Sequence, residues 1–578
     1  MKSKLLLILL LPVTFSMCFG QFQKTVGIVN KHYHDLNLEP MNDGTDDFIV
    51  AGNLFDATMQ NEELTLKRVD QNGVVVWIKK YTNAGLVHAR VFDMVTLPTD
   101  IYITGSVDVS GVRKMFIAQI QATTGAFIQA NYYDIVGPNF NSRGLKIIHT
   151  LSDADGDGVN DPGFVVGGFF SDCYAVDINC TFNNIGFVLR TDLGLNHLWT
   201  TEIDANNPIN TLEYDFVNGI TETNDGFFIT GSATGVLPSN AVQQAVLAHK
   251  LDFAGTFVWD SSYIFGNSND LSTDAYFDAA SNEIYVLANY SISHYFGVTV
   301  LNNTTGATST SWVATGADLD KYGFRIMESI NSNNNLVITG YDRDENWTNS
   351  SGSFTGQSTP FVYEFVKATG AQVGTSYQYL VPHAEPTGDE FNFWSGQMPL
   401  IYYPDISTLY LGAGGGADYY HVGYRTNPSA TFSETELYRT PVNYRNECDF
   451  QQLQLSPNSI TLQAVPVTSG GIPVATVPLT LTDAVIAFQI SMCDPSLGVE
   501  HPSEENIRLH PNPASDYVHI DGNGVSQLEI VDALGRTIRR QSIASGSPIF
   551  IGDLVPGMYF LRVSGESGIE QTFRLLKR

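Results

Sequence analysis

The chain has 578 residues, with 60 acidic against 30 basic side chains and a formal net charge of −30. That balance excludes a nucleic-acid binder, which needs a basic footprint to displace counterions from phosphate, and it would repel an anionic membrane surface. A hydrophobic content of 43%, rich in Tyr and Phe, excludes a disordered chain.

The N-terminus reads "MKSKLLLILLLPVTFSMCFGQ", lysines before an apolar run and then small or polar residues. This predicts a secretory signal peptide over 1–20, cut after Gly20. Met17 stands where a lipobox wants a small residue, so Cys18 is not read as a lipid anchor. No later stretch reaches the roughly 20 apolar residues that a membrane-spanning helix needs.

A short alternating strand then recurs: "FIVAGN" (48–53), "IYITGS" (101–106), "FVVGGF" (164–169), "FFITGS" (227–232), "IYVLAN" (284–289), "LVITGY" (336–341) and "LYLGAG" (409–414). Anchor glycines fall at Gly52, Gly105, Gly167, Gly231, Gly340 and Gly412, with Ala288 in the fifth unit. A turn motif recurs beside it, as "VDQNGVVVW" (69–77), "TDLGLNHLW" (191–199) and "LDFAGTFVW" (251–259). Asp or Asn opens that turn, Gly supplies a positive φ, and a large aromatic follows on the next strand. Period-two alternation bounded by turn residues predicts antiparallel strands, four to a unit, with tryptophans filling the seams between units. The expected fold is all-β, a β-propeller over 21–440 counted as seven four-stranded blades, with six or eight as alternatives because the first and last units are the least regular. The turn-plus-Trp pattern resembles the repeats of quinoprotein-type and related bacterial seven-bladed propellers over roughly 26–435.

Within the third unit, "DADGDGVNDPG" (153–163) alternates Asp153, Asp155 and Asp157, turns at Gly158 and continues to Asp161. Hard oxygen ligands at that spacing suit Ca²⁺, with the Val159 carbonyl as a further ligand. Phe164 stands where an EF-hand would place Glu, and the pattern instead resembles the calcium loops of thrombospondin type 3 repeats. A structural Ca²⁺ is expected, against the alternative of a solvated acidic loop. Cys173, Cys180, Cys448 and Cys493 remain after signal removal, an even number in an exported chain, which suggests Cys173–Cys180 and Cys448–Cys493 disulfides or, alternatively, buried thiols.

Residues 441–494 alternate as several short strands and are expected to form a small β-module or spacer, followed by a linker over 495–504. The end, 505–578, predicts a small immunoglobulin-like β-sandwich. Its ordered motifs are Pro511-Asn512-Pro513-Ala514, Asp532-Ala533-Leu534-Gly535-Arg536 and Pro556-Gly557-Met558-Tyr559. Together they closely resemble the type A C-terminal sorting domain of the Bacteroidota type IX secretion system. The resemblance implies periplasmic transit, recognition by the type IX machinery, and release from the cell or attachment to its surface.

No nucleophile elbow, metal helix or phosphate loop is present. The acidic and aromatic cluster around His383, Glu385, Asp389 and Glu390 is the nearest approach to a glycosidase pair. No catalytic residue is assigned. The expected role is non-catalytic binding of an extracellular glycan or protein, with a polysaccharide hydrolase or lyase as the alternative.

Overall fold

Among the described residues, every regular element of the computed structural model is a β-strand, as the period-two alternation requires. The structure describes strands and turns between residues 22 and 577; it leaves out 1–21, 578 and internal stretches, of which the longest are 172–182, 344–356, 385–404, 441–449 and 493–507. Cys173, Cys180, Cys448, Cys493 and the signal segment therefore lie outside the described residues. Two units are distinguished, Met1–Pro495 and Ser496–Arg578.

Among the described residues the first unit contains seven sheets, each built on four antiparallel strands of the repeating body. The first sheet takes His32–Pro40, Phe48–Phe55, Glu62–Val69 and Val75–Thr82 in chain order. The next five open on Ala89–Thr96, Asn141–Thr150, Phe216–Thr223, Asp270–Asp278 and Lys321–Ser329 and run outward in the same way. The seventh takes Asp405–Tyr410, Ala417–Thr426 and Ser433–Thr440, and its fourth strand is the N-terminal Phe22–Gly27. First strands of successive sheets touch one another, and the first strand of the seventh sheet touches that of the first.

The recurrent glycine has a steric cause. In six sheets the first strand carries a β-bulge, at Asp35/Asn37, Val91/Asp93, Gly144/Lys146, Val217/Gly219, Ser272/Asp274 and Gly323/Arg325. The second strand faces each bulge with Gly52, Gly105, Gly168, Gly231, Ala288 or Gly340. At Gly105, Gly168, Gly231 and Gly340, the bulged strand's carbonyl oxygen lies well inside van der Waals distance of where a Cβ would stand. In the third sheet the residue so constrained is Gly168, one past the anchor expected at Gly167. Bulges bend a strand and tighten its twist.

The turn motif also finds its explanation in the seams. Trp77, Trp199, Trp259 and Trp312 each lie against a turn glycine of the following sheet, at Gly125, Gly255, Gly306 and Gly370. Trp259 is buried and donates to Asn303 O at 2.8 Å, and Trp77 donates to Ala122 O at 3.2 Å. No tryptophan stands on the fourth strand of the second sheet, and there the facing turn carries Leu195 at φ 64° instead of glycine. The Leu195 carbonyl accepts from Tyr133 Oη at 2.9 Å.

Where the sequence suggests a small β-module or spacer over 441–494, the described strands between 450 and 492 do not form a sheet of their own. They add one by one to the outer edges of the seven sheets, in reverse order. Phe450–Leu453 joins the sixth sheet, Ser456–Ser459 the fifth, Gln463–Ala464 the fourth and Thr468–Gly471 the third. Val474–Leu479 joins the second and Thr482–Val485 the first, and Gln489–Met492 pairs with Phe22–Gly27 in the seventh. Strands this short find no stable pairing among themselves, whereas each sheet presents an edge with unpaired amides and carbonyls.

Among its described residues the second unit has two sheets. One contains Arg508–His510, Tyr517–Asp521 and Pro548–Phe550; the other contains Thr537–Ser542, Val525–Asp532, Gly557–Gly565 and Glu570–Lys577. Val518, Ile520, Leu528, Ile530, Leu561 and Leu575 form their common core, as expected of a sandwich.

Candidate functional site

Three places bring chemically active side chains together. The first is the acidic loop, the hairpin between the first two strands of the third sheet. Its aspartates fold it locally. Asp153 Oδ1 accepts the amides of Asp155 at 3.2 Å and Gly156 at 2.7 Å, and its Oδ2 accepts that of Gly158 at 2.7 Å. Those donors, Gly158 and Gly156 foremost, hold the exposed Asp153 carboxyl below the ordinary carboxylate value. Gly156 and Gly158 take φ of 83° and 86°, as a loop this tight requires. One carboxylate oxygen from each of Asp153, Asp155 and Asp161 falls within 4.8 Å of the others. Asp157 and Val159 lie on the same loop but outside that trio; Asp157 Oδ1 accepts the Val159 amide at 2.7 Å. Three carboxylates of this kind are the donor set that a hard divalent cation takes.

Beneath the loop, the buried Arg190 side chain donates to Ser152 O at 2.5 Å, Asp161 O at 2.8 Å and Phe253 O at 3.2 Å. Arg68 makes the same kind of junction in the first sheet, holding Asp43 at 2.9 Å and Asp47 at 2.6 Å and donating to Ala122 O. Lys250 does so in the fourth, holding Asp225 at 2.8 Å, Asn303 at 2.8 Å and Thr223. Each cation ties the first hairpin of its own sheet to a turn of the next. This recurring corner was invisible in the sequence, where three cations in a degenerate repeat carry no marker.

The second place is the residue after each bulge. Asn37 Nδ2 donates to Phe92 O at 2.7 Å, Asp93 Oδ2 accepts the Ile147 amide at 2.8 Å, and Asp274 Oδ2 accepts the Ile326 amide at 3.0 Å. Each polar side chain thus satisfies a backbone group of the following first strand. Lys146 lies 3.1 Å from Asp93 and also acts electrostatically on Asp274. Arg325 acts on Asp274 too, and reaches Glu39 of the first sheet at 3.7 Å. Burial still pushes the Asp274 carboxyl above its ordinary value, against the pull of both cations. The fourth sheet places Gly219 at this position, between the sheets that carry Lys146 and Asp274.

The third place is the tail. Ala514 is buried and bridges to Lys577. Tyr559 Oη donates to Val555 O at 2.8 Å across the Pro556–Gly557 turn, and Leu554 is buried behind it. Arg536 is exposed immediately before the strand Thr537–Ser542, and Asp532 ends the strand Val525–Asp532. Pro511, Asn512, Pro513 and Gly535 lie outside the described residues. Of the acidic cluster near the sixth sheet, His383 falls in a short strand pairing with Ser358, and Glu385, Asp389 and Glu390 lie outside the described residues. Among the described residues no helix is long and apolar enough to cross a membrane.

No curated protein matches the chain. Among solved structures it is similar to the extracellular domain of a one-component system from B. thetaiotaomicron, at 11% identity and a TM-score of 0.19, over 93% of this chain and 84% of that one. It is also similar to the extracellular domain of a hybrid two-component system from the same organism, at 10% identity and a TM-score of 0.15, over 96% and 98%. Scores this low assign neither fold nor role. Residues 508–577 match the family described as the secretion system C-terminal sorting domain. The chain therefore carries, at its end, the sorting domain of type IX secretion cargo, which directs it to the cell surface or beyond.

Proposed function

We propose that the seven sheets close as a seven-bladed β-propeller and that this exported body binds an extracellular glycan or protein without catalysis. Closure is supported by contact between the first strands of the seventh and first sheets, and by the Arg325–Glu39 pair. The N-terminal strand completing the last sheet is the arrangement a ring needs, since it fastens the two ends of the body to each other. The tail is proposed to fold as its own sandwich over 505–578.

The use made of the convergent acids carries the binding interpretation. Asp93 and Asp274 each accept a backbone amide of the neighbouring sheet and face Lys146 or Arg325, so they hold strands together instead of flanking an open substrate site. A paired-carboxylate hydrolase would leave two acids free on either side of a bond. Loops at the ends of such a ring suit recognition. Calcium on Asp153, Asp155 and Asp161 would stiffen one of them, and Arg190 would pass that rigidity to the seam below.

The test is a glycan and surface-protein array probed with the full-length protein, with calcium and with a chelator. Retention of a ligand without turnover is the expected outcome. Appearance of shortened or unsaturated saccharides would overturn the reading in favour of a hydrolase or lyase.

A further inference from the structure

The segment 450–492 has a feature that its strand pairing alone does not explain. At or beside the ends of its strands it places apolar pairs into the seams. Ile460 and Leu462 pack on the core shared by the fourth, fifth and sixth sheets, and Val465 and Val467 on that of the third and fourth. Ile472 and Val474 pack against the second and third, and Leu479 and Leu481 against the first and second. Val465, Val467, Leu479 and Leu481 are all buried, although they stand at the periphery.

Polar contacts cross the same seams. Asp483 holds Lys79 of the first sheet at 2.5 Å and accepts the Phe127 amide of the second at 3.3 Å. Thr468 donates to Asp204 O at 3.0 Å, and Val467 donates to Asp260 of the next sheet at 3.2 Å. Among the described residues no strand of the segment pairs with another of its own strands. Among the described residues its strand partners all belong to the sheets, and four of its steps, at 460/462, 465/467, 472/474 and 479/481, couple one sheet to its neighbour.

We propose that residues 450–492 are a locking belt, a strand-by-strand clamp that must peel away before neighbouring sheets can separate. Its last strand lies against Phe22–Gly27, so the belt also holds the N-terminal strand in the seventh sheet. The consequence for the ring rests on the propeller reading above; the clamping of one sheet to the next does not. Every belt strand meets a partner far away in the sequence, so the belt docks after the sheets exist and is lost before they part. Such late contacts govern the rate of unfolding more than the rate of folding.

The test uses the full chain with three substitutions: Val467→Asp and Leu479→Asp at seam positions, and Val485→Asp at a belt position that is 78% exposed. In stopped-flow denaturation the two seam variants should unfold roughly 10-fold faster or more and fold at nearly the parental rate. Val485→Asp should leave both rates within about two-fold. Hydrogen exchange on the parent protein tests the same claim should a seam variant fail to fold. Belt amides should be protected far beyond those of the hairpin loops. Seam variants unfolding no faster than Val485→Asp, or belt amides exchanging at loop rates, would overturn the proposal. Small-angle scattering of the parent decides the ring separately: an open array of sheets would remove the propeller reading and leave the rate comparison to judge the clamp.

Discussion

Gly255→Ala isolates the seam contact on which neighbouring sheets depend. Gly255 sits at φ 76°, and a Cβ placed there would meet Trp199 Cε3 at 2.6 Å. Two costs arise. An L-residue in the left-handed region costs about 1–2 kcal/mol. Carbon atoms prefer about 3.5–4.0 Å, so the indole must retreat by roughly 1 Å or the seam must open, an overpacking cost of about 1–3 kcal/mol. The expected loss is therefore about 2–5 kcal/mol in all. Gly111→Ala is the matched control, since Gly111 has φ 83° with nothing within 4 Å of its Cβ position; it should lose only the backbone share, about 1–2 kcal/mol. Urea denaturation followed by tryptophan fluorescence reports this unit alone, because all 6 tryptophans precede the boundary at Pro495. In a double-mutant cycle with Trp199→Leu, the losses should fall short of additivity by the overpacking share, about 1–3 kcal/mol. Equal losses for Gly255→Ala and Gly111→Ala, or an additive cycle, would refute the claim that the turn glycine exists to admit the indole.

Lys146→Met strips the cation from Asp93 and leaves Asp274 with Arg325 alone; loss of a partner from a buried ion pair predicts about 3–5 kcal/mol, measured by denaturation, with Asp93→Asn in the same chain recovering part of it. Asp215 is buried, its carboxylate accepting the amides of Ala205 at 2.8 Å and Thr234 at 2.5 Å, and burial pushes its carboxyl up to about 7. A carboxyl whose folded value lies above its unfolded one contributes stability that is full below about pH 4 and lost as the pH rises towards 7. Unfolding free energies of the parent and of Asp215→Asn should therefore diverge across that window, and a constant difference would be evidence against the titration. Calcium should raise the melting temperature of the parent and leave Asp153→Asn unchanged; equal shifts in both proteins would place the ion elsewhere or nowhere.

How much of this was legible follows the distance over which each signal acts. Strands such as "FFITGS" and turns such as "LDFAGTFVW" are local patterns, and they located the four-stranded units and the tryptophan seams. The glycines were visible, but their cause was not: it is a carbonyl on the preceding strand, raised by a bulge that has no sequence mark of its own. Asn37, Asp93, Lys146, Asp274 and Arg325 occupy one place in the repeat, yet dozens of residues separate each from the next, so no local window contains two of them. The edge strands of 450–492 escape a reading of the sequence for a related reason. They are two to six residues long, and every partner is remote. One trace was available. Apolar pairs at 465/467, 472/474 and 479/481 recur at even spacing, a rhythm that suits a segment stepping from one seam to the next.

The pairing of Gln489–Met492 with Phe22–Gly27 also decides how the body answers to tension. Lys24 stands opposite Met492 and Gly27 opposite Gln489, so residues 22 and 492 lie at the same end of this antiparallel pair. A pull applied through residues 22 and 492 draws the two strands apart like a zipper. It does not slide them past each other, so their hydrogen bonds break in succession and no two of them share the load. Tension applied across this pair therefore strips Gln489–Met492 from the edge of the seventh sheet one residue pair at a time.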